Sequence, residues 1–306
     1  QDKYDTHGNE QQVGINGFHG FTCSWDEHPD RDEAWAEAEK ARIGDERFRR
    51  EHECEFLIFD ETLIDSIHLA DMEPQEPIEK TGQVRWYKRP TPGMTYLVSL
   101  DPAMGTGGDY AAIQVFELPT FEQVGEWHHN TTPMNQQVRI LQGITKHLHD
   151  TIMEKDSSAS PQIFYSMENN SIGEAALLRV MDIGEENIQG MFLSEPIRKG
   201  HRRKFRRGFN TTAKHKIDAC TKFKELVENN KMKINSQLLI SELKDFVASG
   251  MSFKAKAGQH DDLVSSCLLM TRMMKTLADF DPKIFEKWTD RTSELAPMPI
   301  YGSFTG

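Results

Sequence analysis

The sequence predicts an α/β fold built around a sheet of mixed direction. Three apolar runs, Met94–Leu100, Tyr110–Leu118 and Glu122–Asn130, are rich in β-branched and aromatic residues and follow one another with short connections. Strands joined that closely form an antiparallel meander. Beyond them, helix-like and strand-like segments alternate to about Leu277, an order that adds parallel strands and lays helices on the sheet faces. No internal repeat interrupts this order.

Taken in order, residues 1–20 lack periodicity and read as loop. Asp30–Glu53 is helix-forming and charged on most faces, and Gly44 divides it in two. Cys54–Phe59 is a short apolar run, followed by an acidic stretch with Pro74 and Pro77. Thr81–Gly93 holds two prolines and two glycines and reads as a linker. After the meander, Asn135–Lys155 has helical spacing through Val138, Leu141, Ile144 and Leu148. Gln162–Glu168 is a strand, and a helix follows with Ser171 as its cap. A short strand at Gln189–Leu193 precedes a basic loop. Next come a helix over Thr211–Asn229, short strands at Met232–Ile234 and Met251–Lys256 with a helix over Gln237–Phe246 between them, and a last helix over Asp261–Leu277. The expected division is residues 1–80, a linker at 81–93, a main domain at 94–278 and an irregular tail at 279–306.

Composition narrows the classes. Hydrophobic residues make up 37% and charged residues 27% of the 306, close to an ordinary globular protein. No apolar run approaches the roughly 18 residues of a membrane span. No signal peptide opens the chain, and its polar start without Met suggests a piece of something longer. Four scattered cysteines (Cys23, Cys54, Cys220, Cys267), with no CxxC and no neighbouring Cys/His pair, argue against zinc and disulfides and for the cytosol. The net charge of −12 argues against a protein wholly committed to coating a polyanion. Yet Pro196–Lys216 holds nine Lys/Arg and no acid besides. Such a stripe suits nucleic acid held at one face and equally suits a solvated loop.

Five acids sit at the ends of the predicted elements. Asp101 ends the first strand and opens a glycine-rich loop that Asp109 closes; Glu168 ends another strand; Asp261 and Asp262 begin the last helix. Asp261 and Asp262 also suit helix capping, and Asp101 before Pro102 suits a turn. Glu168 is harder to explain that way, because it follows a strand expected to be buried. If the Asp101 and Glu168 strands are neighbours, their carboxylates converge, and a helix starting at Asp261 closes the site. Hard oxygen ligands in that number suit Mg²⁺ or Mn²⁺. Two such ions about 4 Å apart activate a water and stabilise the leaving oxygen in phosphodiester cleavage.

The segments Leu100–Val115, Ile163–Ala176 and Gly258–Leu269, with Gly208–Lys216 and Asn229–Asn235 between, resemble in order and spacing the large terminase subunits of tailed bacteriophages, particularly the T-even-like group. The resemblance covers about residues 94–278, and Trp25–Leu57 resembles the end of the ATPase domain that precedes the nuclease in that family. It implies an RNase H-like nuclease that cuts concatemeric double-stranded viral DNA during packaging, using two Mg²⁺ or Mn²⁺ ions. Carried over by motif, Asp101, Glu168 and Asp262 match the catalytic metal ligands, and Asp261 and Asp109 match acids that assist or bind metal in some relatives. His260 is placed to orient a phosphate or water, or is a surface turn residue. Arg202, Arg203, Lys204, Arg206, Arg207 and Lys214 become candidate phosphate contacts without base readout. Portal protein and small terminase subunit are the implied partners, and the implied place is the cytoplasm of the infected host, docked on the procapsid. No GxxxxGK[ST] loop occurs, so no ATPase activity is expected from this chain alone. Three other readings stand beside this one: a resolvase of the same fold, a non-catalytic DNA-binding or docking module, and a sugar-kinase or actin-type ATPase, which lacks its late glycine-rich motif here.

Overall fold

The computed structural model describes residues 3–4, 10–11, 25–44, 48, 51–53, 61–195, 207–250 and 252–280. Cys54–Phe59, Arg202, Arg203, Lys204, Arg206 and the tail beyond Phe280 lie outside the described residues. The chain forms two compact units, Gln1–Phe59 and Asp60–Gly306.

In the first unit, β1 (Lys3–Tyr4) pairs antiparallel with β2 (Glu10–Gln11). Helix α1 (Glu33–Ile43) starts where the Asp32 carboxylate accepts the Trp35 amide at 2.8 Å, and it stops at Gly44, whose φ of 84° few other residues tolerate. With almost no apolar stripe of its own, α1 gains its packing from an aromatic triangle. The rings of Trp25, Trp35 and Phe48 lie 6.0–6.1 Å apart, and the Arg31 guanidinium sits 4.3 Å over Trp35.

The second unit contains a seven-stranded sheet in the order β3-β4-β7-β6-β5-β8-β9. The meander is as expected: β5 (Thr95–Asp101), β6 (Ala111–Leu118) and β7 (Glu122–His129) pair antiparallel. Strand β8 (Gln162–Met167) then runs parallel to β5, and β9 (Met191–Phe192) parallel to β8. All eight residues of β6 are buried, because helices cover both faces of the sheet's centre. The segment expected as a linker, 81–93, holds the strand Val84–Trp86 and the last residue of the strand Glu79–Thr81. β3 (Glu79–Thr81) and β4 (Val84–Trp86) form a hairpin whose second strand pairs with β7, and the Trp86 ring fills the space left by the missing side chain of Gly125.

Two helices cover one face. α3 (Met134–Lys155) and α4 (Ser171–Ile183) pack Val138, Leu141, Ile144, Leu148, Ala176 and Val180 onto Tyr96, Val98, Leu100, Tyr165 and Met167. Asn170, not Ser171, caps α4, accepting the Gly173 amide at 2.7 Å, so Ser171 is the first helical residue. Within the second unit a short α2 (Ser66–Ala70) precedes β3 in the chain. The other face receives α7 (Asp262–Phe280), with α5 (Ala213–Glu228) and α6 (Gln237–Asp245) packed against it. Small side chains let α7 approach closely: Ser266 Oγ donates to the Ser99 carbonyl at 3.0 Å, and Ser99 Oγ donates to the Ser266 carbonyl at 2.8 Å. Strands β10 (Phe246–Ser249) and β11 (Ser252–Ala255) form a hairpin outside the main sheet. Met232–Ile234 supplies only an isolated bridge, Lys233 to Glu122.

Candidate active site

Side chains alternate across a strand, so Leu97, Ser99 and Asp101 share the face that meets α7. Parallel β8 is in register with β5, Ser99 opposite Ser166 and Leu100 opposite Met167. One residue further, Asp101 and Glu168 therefore stand side by side at the carboxyl ends of two central strands, with the Glu168 amide donating to the Leu100 carbonyl at 3.3 Å. Glycine makes this corner possible: a Cβ on Gly173 would lie 1.7 Å from the Glu168 carbonyl oxygen. The Asn170 cap also donates from Nδ2 to Glu168 Oε2 at 3.3 Å, which orients that carboxylate.

The loop after Asp101 is held from below. Fully buried Gln137 donates to the carbonyls of Ala103 and Thr132, each at 2.8 Å, and accepts the Ala103 amide at 3.3 Å. Gly107 and Asn130 exchange two further bonds. Asp101 is thus fixed by a sheet on one side and a pinned loop on the other.

Helix α7 brings the remaining acids. Asp101, Glu168, Thr211, Lys216, Ser265, Leu268 and Arg272, with Ala219 and Leu269, line a cleft of about 160 Å³. Ser265, Leu268, Leu269 and Arg272 follow helical spacing, so one stripe of α7 faces it. Asp262 Oδ2 accepts the Tyr110 amide at 3.4 Å and lies 3.6 Å from His260 Nδ1, while Asp261 Oδ2 lies 3.8 Å from Lys216 Nζ.

The electrostatics tie the acids together. Burial pushes the Asp101 carboxyl well above the usual carboxylate range, and Glu168, Asp262 and Asp261 push it further. Burial likewise raises Asp262 to about 6; the Tyr110 amide opposes that shift, while Asp261 and exposed Asp109 add to it. The structure therefore sets Asp101 and Glu168 in the cleft wall, with Asp261 and Asp262 near enough for their charges to act on Asp101, and Asp109 near enough to act on Asp262. His260 stands beside Asp262 and meets the edge of the Tyr110 ring at 4.9 Å. Among the described residues, no three His, Cys, Asp or Glu side chains converge tightly enough to enclose an ion by themselves. Carboxylate oxygens are the ligand type that Mg²⁺ takes, one or two of them beside waters and substrate phosphate. A half-buried Asp surrounded by like charge is the environment that a hard cation relieves.

Of the basic candidates, Lys214 is exposed in the first turn of α5. Arg207 is engaged, paired with Glu185 and 5.8 Å over the Phe192 ring. Two cleft residues, Arg272 and Lys216, and one residue packed at the start of α7, Glu242, were not singled out from the sequence. Arg272 donates to Glu195, to the Asn210 carbonyl at 3.1 Å and to Thr211 Oγ1 at 3.0 Å. Lys216 was only one of nine stripe cations, and Glu242, from α6, reaches the start of α7. Burial raises the Glu242 carboxyl to about 9. The α7 stripe was legible as helical spacing, but nothing in it marked which face meets the acids.

A mixed sheet with this strand order, helices on both faces and acids at adjoining strand ends defines an RNase H-like α/β domain. The family model of the terminase RNase H-like domain matches residues 98–273, and the chain belongs to that family. Solved structures of the large terminase nuclease from the thermophilic phage G20c are similar in fold. One is 16% identical with a TM-score of 0.51 and covers 69% of this chain and 97% of its own. Two others of the same nuclease, with bound magnesium and with bound cobalt, have the same identity and TM-score and cover 70% and 97%.

Proposed function

We propose that this chain is the nuclease part of a large terminase subunit and cuts double-stranded DNA by metal-dependent phosphodiester hydrolysis during genome packaging. The observation that carries this reading is the side-by-side placement of Asp101 and Glu168, with Asp262 near enough that all three share a like-charge field. Asp101, Glu168 and Asp262 would hold divalent cations, with Asp261 assisting from the helix start and Asp109 from the loop. Bound there, two Mg²⁺ or Mn²⁺ ions supply an activated water and charge stabilisation at the leaving oxygen.

The residues themselves do the positioning. Asn170 aims Glu168, the Gln137 clamp holds the Asp101 loop, and Lys216 and Arg272 set positive charge beside the acids where a phosphate would otherwise be repelled. Lys214 and the arginines at 202, 203, 206 and 207, with Lys204, are read as phosphate contacts. The finer assignments rest on the motif resemblance: a T-even-like lineage, residues 1–80 as the end of an ATPase domain, portal and small subunit as partners, and work at the procapsid in the host cytoplasm. Among the described residues no helix is long and apolar enough to cross a membrane.

The test is cleavage of plasmid and of a four-way junction with Mg²⁺ or Mn²⁺. Cutting of ordinary duplex that stops with chelator is expected; no cutting in either metal favours a docking module, and strict junction preference favours a resolvase. The basic contacts predict a second result. Lys214→Ala should lower the slope of log affinity against log salt by about 1 without altering sequence preference. Filter binding over a salt series would reveal an unchanged slope if Lys214 touches no phosphate.

A further inference from the structure

A helix that begins at Asp262 leaves its first amides needing acceptors. The sequence offers the side chains of Asp261 and Asp262 for that task. The fold uses another group. The Val264 amide donates to Glu242 Oε2 at 3.1 Å, a carboxylate delivered from α6 with a side chain only 10% exposed. The helical ladder itself opens with the Ser265 amide on the Asp261 carbonyl at 2.7 Å. The side chain of Asp262 instead meets the Tyr110 amide and His260, and that of Asp261 meets Lys216. Glu242 also belongs to the wall behind Asp262. Its other oxygen lies 3.6 Å from His128 Nε2, and the His128 ring stacks at 4.2 Å on Tyr110, whose amide Asp262 accepts.

We propose that Glu242 is a positioning residue of the acidic site: by capping α7 from α6, it leaves the Asp261 and Asp262 carboxylates off the helix end and available as cation ligands. The inference rests on the reading of that cleft as a divalent-cation site. Without an acceptor at Glu242, the amides of Leu263 and Val264 attract the nearest carboxylates, which are the two ligands themselves. An aspartate folded back onto its own helix end is lost to the cation.

The test is calorimetric Mn²⁺ binding to the whole chain, with circular dichroism confirming each variant's fold. Glu242→Gln keeps a carbonyl oxygen at the same reach. Glu242→Asp keeps the carboxyl group and withdraws its oxygens by one methylene. Gln is expected to bind Mn²⁺ within about threefold of the unsubstituted chain, and Asp about 10–100-fold more weakly, the range for residues that orient ligands. Where the Asp variant does not fold, Glu242→Met fills the same volume without an acceptor and should show the same loss. Undiminished binding by the Asp or Met variant overturns the proposal, as does loss in Gln with retention in Asp. An unsubstituted chain that binds no Mn²⁺ overturns the cation-site reading instead.

Discussion

Asp101→Asn is expected to reduce Mn²⁺-dependent cleavage by more than about 10²-fold, since even residues behind a metal ligand account for 10–100-fold. It should also leave the metal-free protein as stable or more so, because the native site works against this carboxylate. Burial and three neighbouring acids hold the Asp101 carboxyl well above its usual range, so its charged form is disfavoured in the fold relative to the open chain. Asp262 makes the sign measurable. Its folded value of about 6 exceeds the ordinary 3.8, so between these two pH values the native state binds more protons than the unfolded state. Stability contributed by Asp262 is therefore greatest at the acid end, falls as pH rises through about 4 to 6, and stays low above that. Asp262→Asn should flatten this part of the stability curve relative to the unsubstituted protein. Chemical denaturation at several pH values, without metal and with Mn²⁺, checks both statements. Added Mn²⁺ should raise the midpoint at neutral pH by mass action in the unsubstituted chain and much less in either variant. A destabilised Asp101→Asn protein, or parallel pH curves for Asp262→Asn, would contradict the like-charge account.

Asp101 and Glu168 were legible because they end strands with strong signals. Thr95–Leu100 and Ile163–Met167 are long enough and apolar enough to mark their own last residues, and register then places Asp101 beside Glu168. Strands β3 and β4 were hidden for the opposite reason. Each has three residues, embedded among prolines and glycines, and the pairing of β4 depends on Gly125 of a distant strand making room for Trp86. Glu242 was invisible on its own helix, where it is one polar residue among several; its role arises from the way α6 meets α7 across 22 residues of chain. The same packing changed the meaning of Asp261 and Asp262. From sequence they suited capping as well as metal binding, and the packing supplies a cap from another helix.

Gly173→Ala should be the most damaging single-methyl change near the site. In an ordinary helix the substitution stabilises by about 1 kcal/mol, because glycine carries the larger entropy cost. Here the added carbon would sit 1.7 Å from the Glu168 carbonyl oxygen, a backbone atom in the turn from β8 into α4. Helix and strand end must separate, which strains the Asn170 cap on the Gly173 amide and the Asn170 bond to the Glu168 carboxylate together. Overpacking of this kind costs roughly 1–3 kcal/mol, or on the order of 2–10 °C in Tm for a unit of this size. Cleavage should fall further than stability explains, since the displaced group is a proposed metal ligand and a misplacement of about 1 Å can cost 10²-fold. Gly143→Ala is the control. It lies exposed within α3, with nothing within 4 Å of its added carbon, and should raise Tm slightly with cleavage unchanged. Equal behaviour of the two variants would mean that the α4 start can drift from β8 freely, and that Glu168 is not held by that corner.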